Sequence, residues 1–261
     1  MSLSFTKMHG LGNDICLIES SHELSPHTIK KMSHRHSGIG FDQCLHITAI
    51  DGSDVYLKIY NADGSQVYQC GNGLRCVMRY IHDQHNLTNA RILVGPYCYE
   101  GSFHNNQPMI NMGLPSFEQT AIPTTLDIQS LVTIHQPEAY TMGLVHLGNP
   151  HAICLWPQDH VNRSDLAQRI QHCGFFPEGI NVSFIKQTDQ HLTCETHERG
   201  VGLTEACGSA ACAAVIIAHR FLNAPERSDV YFTSGKLHVQ ITAQGILQSG
   251  PACTVYKGTY L

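Results

Sequence analysis

A cysteine-headed segment occurs twice in this chain. Tyr68-Gln69-Cys70-Gly71-Asn72-Gly73-Leu74-Arg75-Cys76 returns in altered form as Glu205-Ala206-Cys207-Gly208-Ser209-Ala210-Ala211-Cys212, and each copy runs into an apolar stretch with helical spacing. A second pair, Gly10-Leu11-Gly12-Asn13-Asp14 and Leu147-Gly148-Asn149-Pro150-His151, repeats at nearly the same offset. Asn13 to Asn149 is 136 positions and Cys70 to Cys207 is 137. Two matching offsets constrain the chain to a duplicated unit. Duplication tends to set equivalent residues around a pseudo-twofold axis. Two thiols so placed suit a reaction that removes a proton from one face of a carbon and returns one to the other.

A chain of 261 residues accommodates two units of about 130. In the first half, Leu3 to Met8 and Ile15 to Glu19 read as strands flanking a Gly-rich turn. Ser25 to His36 reads as a helix with Pro26 near its start. Cys44 to Ile50 and Val55 to Asn61 read as strands, and Asn61-Ala62-Asp63-Gly64 as a turn. Gly71 to His82 has helical spacing, with Leu74, Val77, Met78 and Ile81 on one face. Short strands follow to Met112, broken at Gly95-Pro96 and Asn105-Asn106. The second half repeats the plan, with helices over Ser164–Cys173 and Gly208–Phe221. The expected fold class is therefore α+β: two similar halves, each a mixed or antiparallel sheet wrapped around one buried helix. Pro115 to Pro123 reads as the linker.

Composition narrows the function classes. The net charge is -5 and there is no basic run or aromatic-basic stripe, so no nucleic acid partner is expected. No apolar run approaches ~18 residues, so no membrane partner is expected either. The N-terminus lacks the charged start and apolar block of a signal peptide, which points to the cytoplasm. Eleven cysteines in a chain of this length are too dilute for a disulfide scaffold. There is no Cys-x-x-Cys pair and no His-Glu-x-x-His, so no metal is expected. The lysines are spread out and none lies in the repeated cysteine segments, which gives no anchor for pyridoxal phosphate; no cofactor is expected.

Cys70 and Cys207 each sit immediately before a helix, where unsatisfied backbone N–H groups and the positive end of the helix dipole favour a thiolate. The same amides, at Gly71, Asn72, Gly208 and Ser209, make an anion site fit for a substrate carboxylate. Cys76 and Cys212 point into their helices and read as buried apolar residues. Asn13, Asn61 and Asn149 are either turn formers or pocket groups. In Glu198-Arg199-Gly200, Arg199 is either an exposed ion-pairing residue or the bidentate partner of a carboxylate. His151 is either a satisfied core histidine or a site residue.

Taken in order, these segments resemble the diaminopimelate epimerases, amino-acid epimerases that use no cofactor. The likeness runs through Lys7–Asp14, Gly38-Ile39-Gly40-Phe41-Asp42-Gln43, Tyr60–Ser65, Gln69–Gly73, Gly148-Asn149-Pro150-His151, Asn181, Glu198-Arg199-Gly200, Ala206–Ser209 and Gly250-Pro251-Ala252. The resemblance implies that Cys70 and Cys207 are the acid–base pair and that the four amides hold the carboxylate at the reacting centre. Asn61, Asn149, Asn181 and Arg199 would hold the distal amino acid group, with Asn13 nearby and Gln43 lining the pocket. His151 and Glu198 would sit beside the reacting centre. The last strand would return to the first domain, giving halves of 1–113 with 250–261 and of 114–249. The expected partner is a small amino-acid substrate, LL-2,6-diaminopimelate, and the expected assembly a homodimer. Leu203 and Ala210 depart from the family pattern beside the second cysteine turn. Two other readings remain open: a racemase or epimerase of another amino acid, and a thiol-based redox or metal-binding module.

Overall fold

The computed structural model describes residues 2–135, 139–189 and 191–261. It divides into two compact units, Met1–Asn111 with Ser249–Leu261 and Met112–Gln248.

The first unit opens with the hairpin β1 (Leu3–Gly10) and β2 (Asn13–Glu19), followed by helix α1 (Pro26–Ser33). Then come β3 (Gln43–Asp51), β4 (Asp54–Asn61), the short β5 (Gln66–Val67) and helix α2 (Gly71–His85). Three strands, β6 (Asn89–Val94), β7 (Tyr97–His104) and β8 (Gln107–Asn111), complete it. The chain's last strand, Cys253–Tyr260, pairs antiparallel with β1. The sheet is mixed: β2 with β3 and β4 with β6 are parallel pairs, and the other neighbours run antiparallel. Helix α2 packs against β1, β2, β3, β7 and β8, so the sheet curls around it. Leu74, Val77, Met78 and Ile81 are fully buried there. Burying each such side chain is worth roughly 1.5–3 kcal/mol. Asn86 closes the helix in the left-handed conformation, as Asn tolerates.

The second unit repeats this plan. Its elements are β9 (Val132–Ile134), β10 (Tyr140–His146), β11 (Pro150–Leu155), α3 (Arg163–His172), β12 (Asn181–Gln187), β13 (His191–Glu198), β14 (Gly202–Thr204), α4 (Gly208–Leu222), β15 (Arg227–Phe232), β16 (Gly235–Thr242) and β17 (Gly245–Ser249). From β10 through β11, β12, β13 and β15 to β16 the pairings run antiparallel, parallel, antiparallel, parallel, antiparallel. That is the sequence of senses from β1 to β7 in the first unit. Helix α4 is apolar nearly all round, the pattern of a helix buried on every side. It packs against β10, β11, β12, β13, β15 and β16. A Cβ at Gly143 of β10 would lie 2.9 Å from Ile217, so glycine is what lets strand and helix approach. Like α2, α4 has 15 residues and ends on a left-handed asparagine, Asn223.

Two local expectations differ from the structure. The first helix is shorter than Ser25–His36: Ser25 is its N-cap and the chain leaves the helix at His34. The backbone N–H groups of Ile39 and Gly40 then close on the Met32 carbonyl. Pro115–Pro123 is not a free linker. Ile122 is buried in the second unit's core with Phe117 packed against it, and Ser116 bridges to His146.

Candidate active site

In the first unit the sheet gathers polar groups at one end. Asn13 begins β2, Gln43 begins β3 beside Ile15, and Asn61 ends β4 directly opposite Gln43. Gln43 Nε2 donates to Asn61 Oδ1 (3.1 Å), and Asn61 Nδ2 donates to Ser65 Oγ (3.1 Å). Cys70 is the N-cap of α2. Serine, threonine, aspartate and asparagine usually fill that position with a side-chain oxygen. Here the sulfur takes the role, accepting the Gly73 N–H at 3.2 Å, and Asn13 Nδ2 lies 3.6 Å from the same sulfur. Asn72, almost completely buried, accepts from Arg75 Nη2 at 2.6 Å. The β1–β2 turn that presents Asn13 has Leu11 at φ 53° beside Gly12 at φ 84°. A non-glycine residue held there stores backbone strain of the kind that clusters at functional sites.

In the second unit Cys207 is the N-cap of α4 but its side chain makes no capping hydrogen bond. Its sulfur instead lies 3.4 Å from Ser209 Oγ. The Nε2 atom of His151 contacts Asn149 Oδ1 (2.8 Å) and Ser209 Oγ (3.1 Å). Burial, with the neighbouring His146, holds the His151 pKa down at about 3, so the imidazole is neutral at physiological pH. Its Nδ1 is buried with no hydrogen-bond partner. Glu198 ends β13. Burial raises its pKa, against hydrogen bonds from Thr204 and Cys207 that lower it. Asn181, which begins β12 beside His151, uses both ends of its amide: Nδ2 donates to the Pro150 carbonyl and Oδ1 accepts the Arg199 N–H, both at 3.0 Å. The exposed Arg199 guanidinium donates to the Glu178 carbonyl at 2.6 Å. A Cβ on Gly179, where φ is 71°, would fall 2.8 Å from Arg199 Cδ, so the glycine makes room for it. A cavity of about 210 Å³ opens here, lined by Ile122, His146, Asn149, Phe176, Glu178 and Arg199 among others.

Each unit thus assembles its own share of the expected residues. In the first, Asn13 contacts Cys70 at the start of α2 and Gln43 pairs with Asn61; in the second, Ser209 links Cys207 to His151 and Asn149, Glu198 bonds Cys207, and Asn181 holds Arg199. Cys76 and Cys212 are fully buried, and burial pushes the Cys76 thiol up to about 12. Among the described residues no cluster of three or more His, Cys, Asp or Glu side chains forms a metal site. Sequence reasoning missed the Ser209 hydroxyl, the Glu178 carbonyl, His146 and Arg75. Ser209 and Arg75 lie within the repeated cysteine segments, while Glu178 and His146 stand outside every motif.

Comparison with known proteins settles the family. The diaminopimelate epimerase family model matches residues 5–96 and 143–255. A diaminopimelate epimerase of Legionella pneumophila is 35% identical over the full length of both chains. That of Nitrosomonas eutropha is 36% identical over 99% of each. This chain belongs to the diaminopimelate epimerase family. Solved structures extend the fold further. A PhzF-family phenazine biosynthesis protein of Bacillus anthracis superimposes with a TM-score of 0.68 at 12% identity, covering 100% of this chain and 99% of that one. A hydroxyproline epimerase of Agrobacterium vitis, solved with trans-4-hydroxy-L-proline, gives 0.67 at 11% identity, covering 99% and 91%. The family's two-unit α+β fold is therefore shared well beyond recognisable sequence likeness.

Proposed function

We propose that this chain epimerises LL-2,6-diaminopimelate to meso-diaminopimelate without a cofactor, a step toward lysine and peptidoglycan precursors. The observation that carries this reading is the cysteine at the N-cap of each unit's central helix, in a chain related end to end to diaminopimelate epimerases.

Cys70 and Cys207 are the acid–base pair. One cysteine starts as thiolate and takes the α-proton, becoming a thiol. The electron pair left on carbon delocalises into the carboxylate, whose growing charge is met by the amides of Gly71, Asn72, Gly208 and Ser209. A preorganised donor of this kind is typically worth ~3 kcal/mol. The other cysteine, a thiol at the start, delivers its proton to the opposite face and becomes thiolate. Turnover exchanges the two states, so the reaction runs in either direction. His151, neutral and with an unused Nδ1 acceptor, and Glu198 orient the amine at the reacting centre. Arg199, Asn61 and Asn149 hold the distal amino acid group, with Asn13 and Gln43 beside them. Asn181 clamps Arg199 in place through its backbone.

Two further statements belong to the same reading. The enzyme works in the cytoplasm: all eleven cysteines are unbridged, as in a reducing compartment, and no described helix is long and apolar enough to cross a membrane. It forms a homodimer, for which the C-terminal strand, with Val255 and Tyr256 58% and 47% exposed, offers apolar surface.

The test is a substrate panel. LL-diaminopimelate is expected to turn over far faster than lysine, histidine or glutamate, because a mono-carboxylate leaves Arg199 without its partner. Arg199→Met is expected to cost about 2–4 kcal/mol in kcat/KM. Faster turnover of lysine or histidine would transfer the activity to another amino acid.

A further inference from the structure

Arg75 is the largest fully buried side chain among the described residues, at 0% exposure, and the reaction as described gives it no role. Burying a guanidinium is costly unless its charge and hydrogen bonds are used. Its side chain runs back along α2 toward the N-terminus, the direction helical side chains take. Nη1 donates to the Gly71 carbonyl (3.3 Å) and Nη2 to Asn72 Oδ1 (2.6 Å). These two acceptors are neutral, and both belong to the turn that Cys70 caps. Glycine at position 10 permits this: a Cβ there would lie 3.3 Å from Arg75 Nη2 and from Asn72.

The second unit lacks the device. Arg75 lies 137 positions before Cys212, a buried thiol, and Asn61 lies 137 before Glu198. Cys70 therefore receives a backbone N–H and an amide donor at a turn carrying a buried cation. Cys207 receives a hydroxyl and hydrogen-bonds a carboxylate.

We infer that Arg75 is a positioning residue that rigidifies the first turn of α2 and makes Cys70, not Cys207, the thiolate of the resting protein. The inference rests on the two-cysteine reading above. Of the other ionisable groups on the strands around α2, Tyr99 lies near Cys70 and donates its hydroxyl to the Tyr68 carbonyl. Lys7 pairs with Asp14, and Glu19 with Tyr80 and His85. His9 takes the Gly12 N–H, and burial keeps His46 neutral. Asp51, Glu100 and His104 are exposed.

The test is site-resolved alkylation of the intact protein by iodoacetamide across a pH series, with Cys70 and Cys207 followed by mass spectrometry. Labelling midpoints report ionisation independently of access. The Cys70 midpoint is expected below that of Cys207. In Arg75→Met it is expected to rise by about one unit, a tenfold loss of thiolate at neutral pH. Arg75→Lys, which keeps the cation, is expected to restore most of it. A Cys207 midpoint at or below that of Cys70 in the unmodified protein overturns the inference even if Arg75→Met fails to fold. An unmoved Cys70 midpoint in folded Arg75→Met also overturns it. Neither readout depends on diaminopimelate turnover, so the inference fails or stands separately from the substrate assignment.

Discussion

The two cysteine-headed helices share a frame and differ in what they offer sulfur. α2 and α4 have the same length, the same left-handed asparagine stop and the same N-cap residue. Around Cys70 the groups are donors: the Gly73 N–H and the Asn13 amide, at the turn held by Arg75. Around Cys207 they are the Ser209 hydroxyl and the Glu198 carboxylate. A symmetric backbone thus carries an asymmetric charge pattern. Reversible proton transfer between two bases needs that combination. In the proposed two-base reaction, matching helix starts give each cysteine the same role, and unequal surroundings favour one thiolate and one thiol.

Deleting either sulfur breaks the comparison outright. Cys70→Ala and Cys207→Ala are each expected to reduce epimerisation of LL-diaminopimelate below detection while leaving circular dichroism and thermal melting nearly unchanged. Substantial turnover by either folded variant would remove the two-base account. A smaller change makes the second unit resemble the first. Glu198→Gln puts an amide where Asn61 stands in the first unit. It is expected to lower kcat by about 10²-fold, the scale of one tuned acid–base group. An unchanged pH–rate profile would show that Glu198 does not act on the reacting groups.

The smallest effect concerns stability. His151 has an ordinary pKa of 6.5 that burial lowers to about 3 in the folded protein. Between those values the unfolded chain binds a proton that the folded one excludes. Its contribution is therefore in place above pH 6.5 and is lost progressively as pH falls toward 3. The first unit has Ile15 at the matching position, equally buried and with no proton to bind. Urea titrations across this range are expected to show a steeper acid limb in the unmodified protein than in His151→Gln. Parallel limbs would contradict the assignment.

Much of this was legible in sequence because it is local. The cysteine turns, the helical spacing after them, and the strand breaks at Gly95-Pro96 and Asn105-Asn106 all announce themselves within a few residues, the two asparagines through left-handed backbone. Elements of two or three residues, β5, β9 and β14, carry too little pattern to read. The stretch after Pro115 looked like a linker because its prolines and threonines mask Phe117, Ile122 and Ile128, whose burial depends on partners far along the chain. The site divides the same way. The cysteines and asparagines were visible from the repeat. The Ser209–His151 contact, the Gln43–Asn61 pair and the Arg199–Glu178 bond arise from strand register and were not. Arg75 was in view within the motif, but only its burial reveals a task.

The central claim is that two different groups handle the proton on the two faces of one carbon. Its most direct measurement is the early fate of LL-diaminopimelate incubated with the pure protein in D₂O. Two bases predict meso product carrying one α-deuterium at the inverted centre, while the LL-substrate recovered in the same interval carries essentially none. Deuterium accumulating in recovered LL-substrate as fast as product forms would mean that one base serves both faces, and would contradict the account.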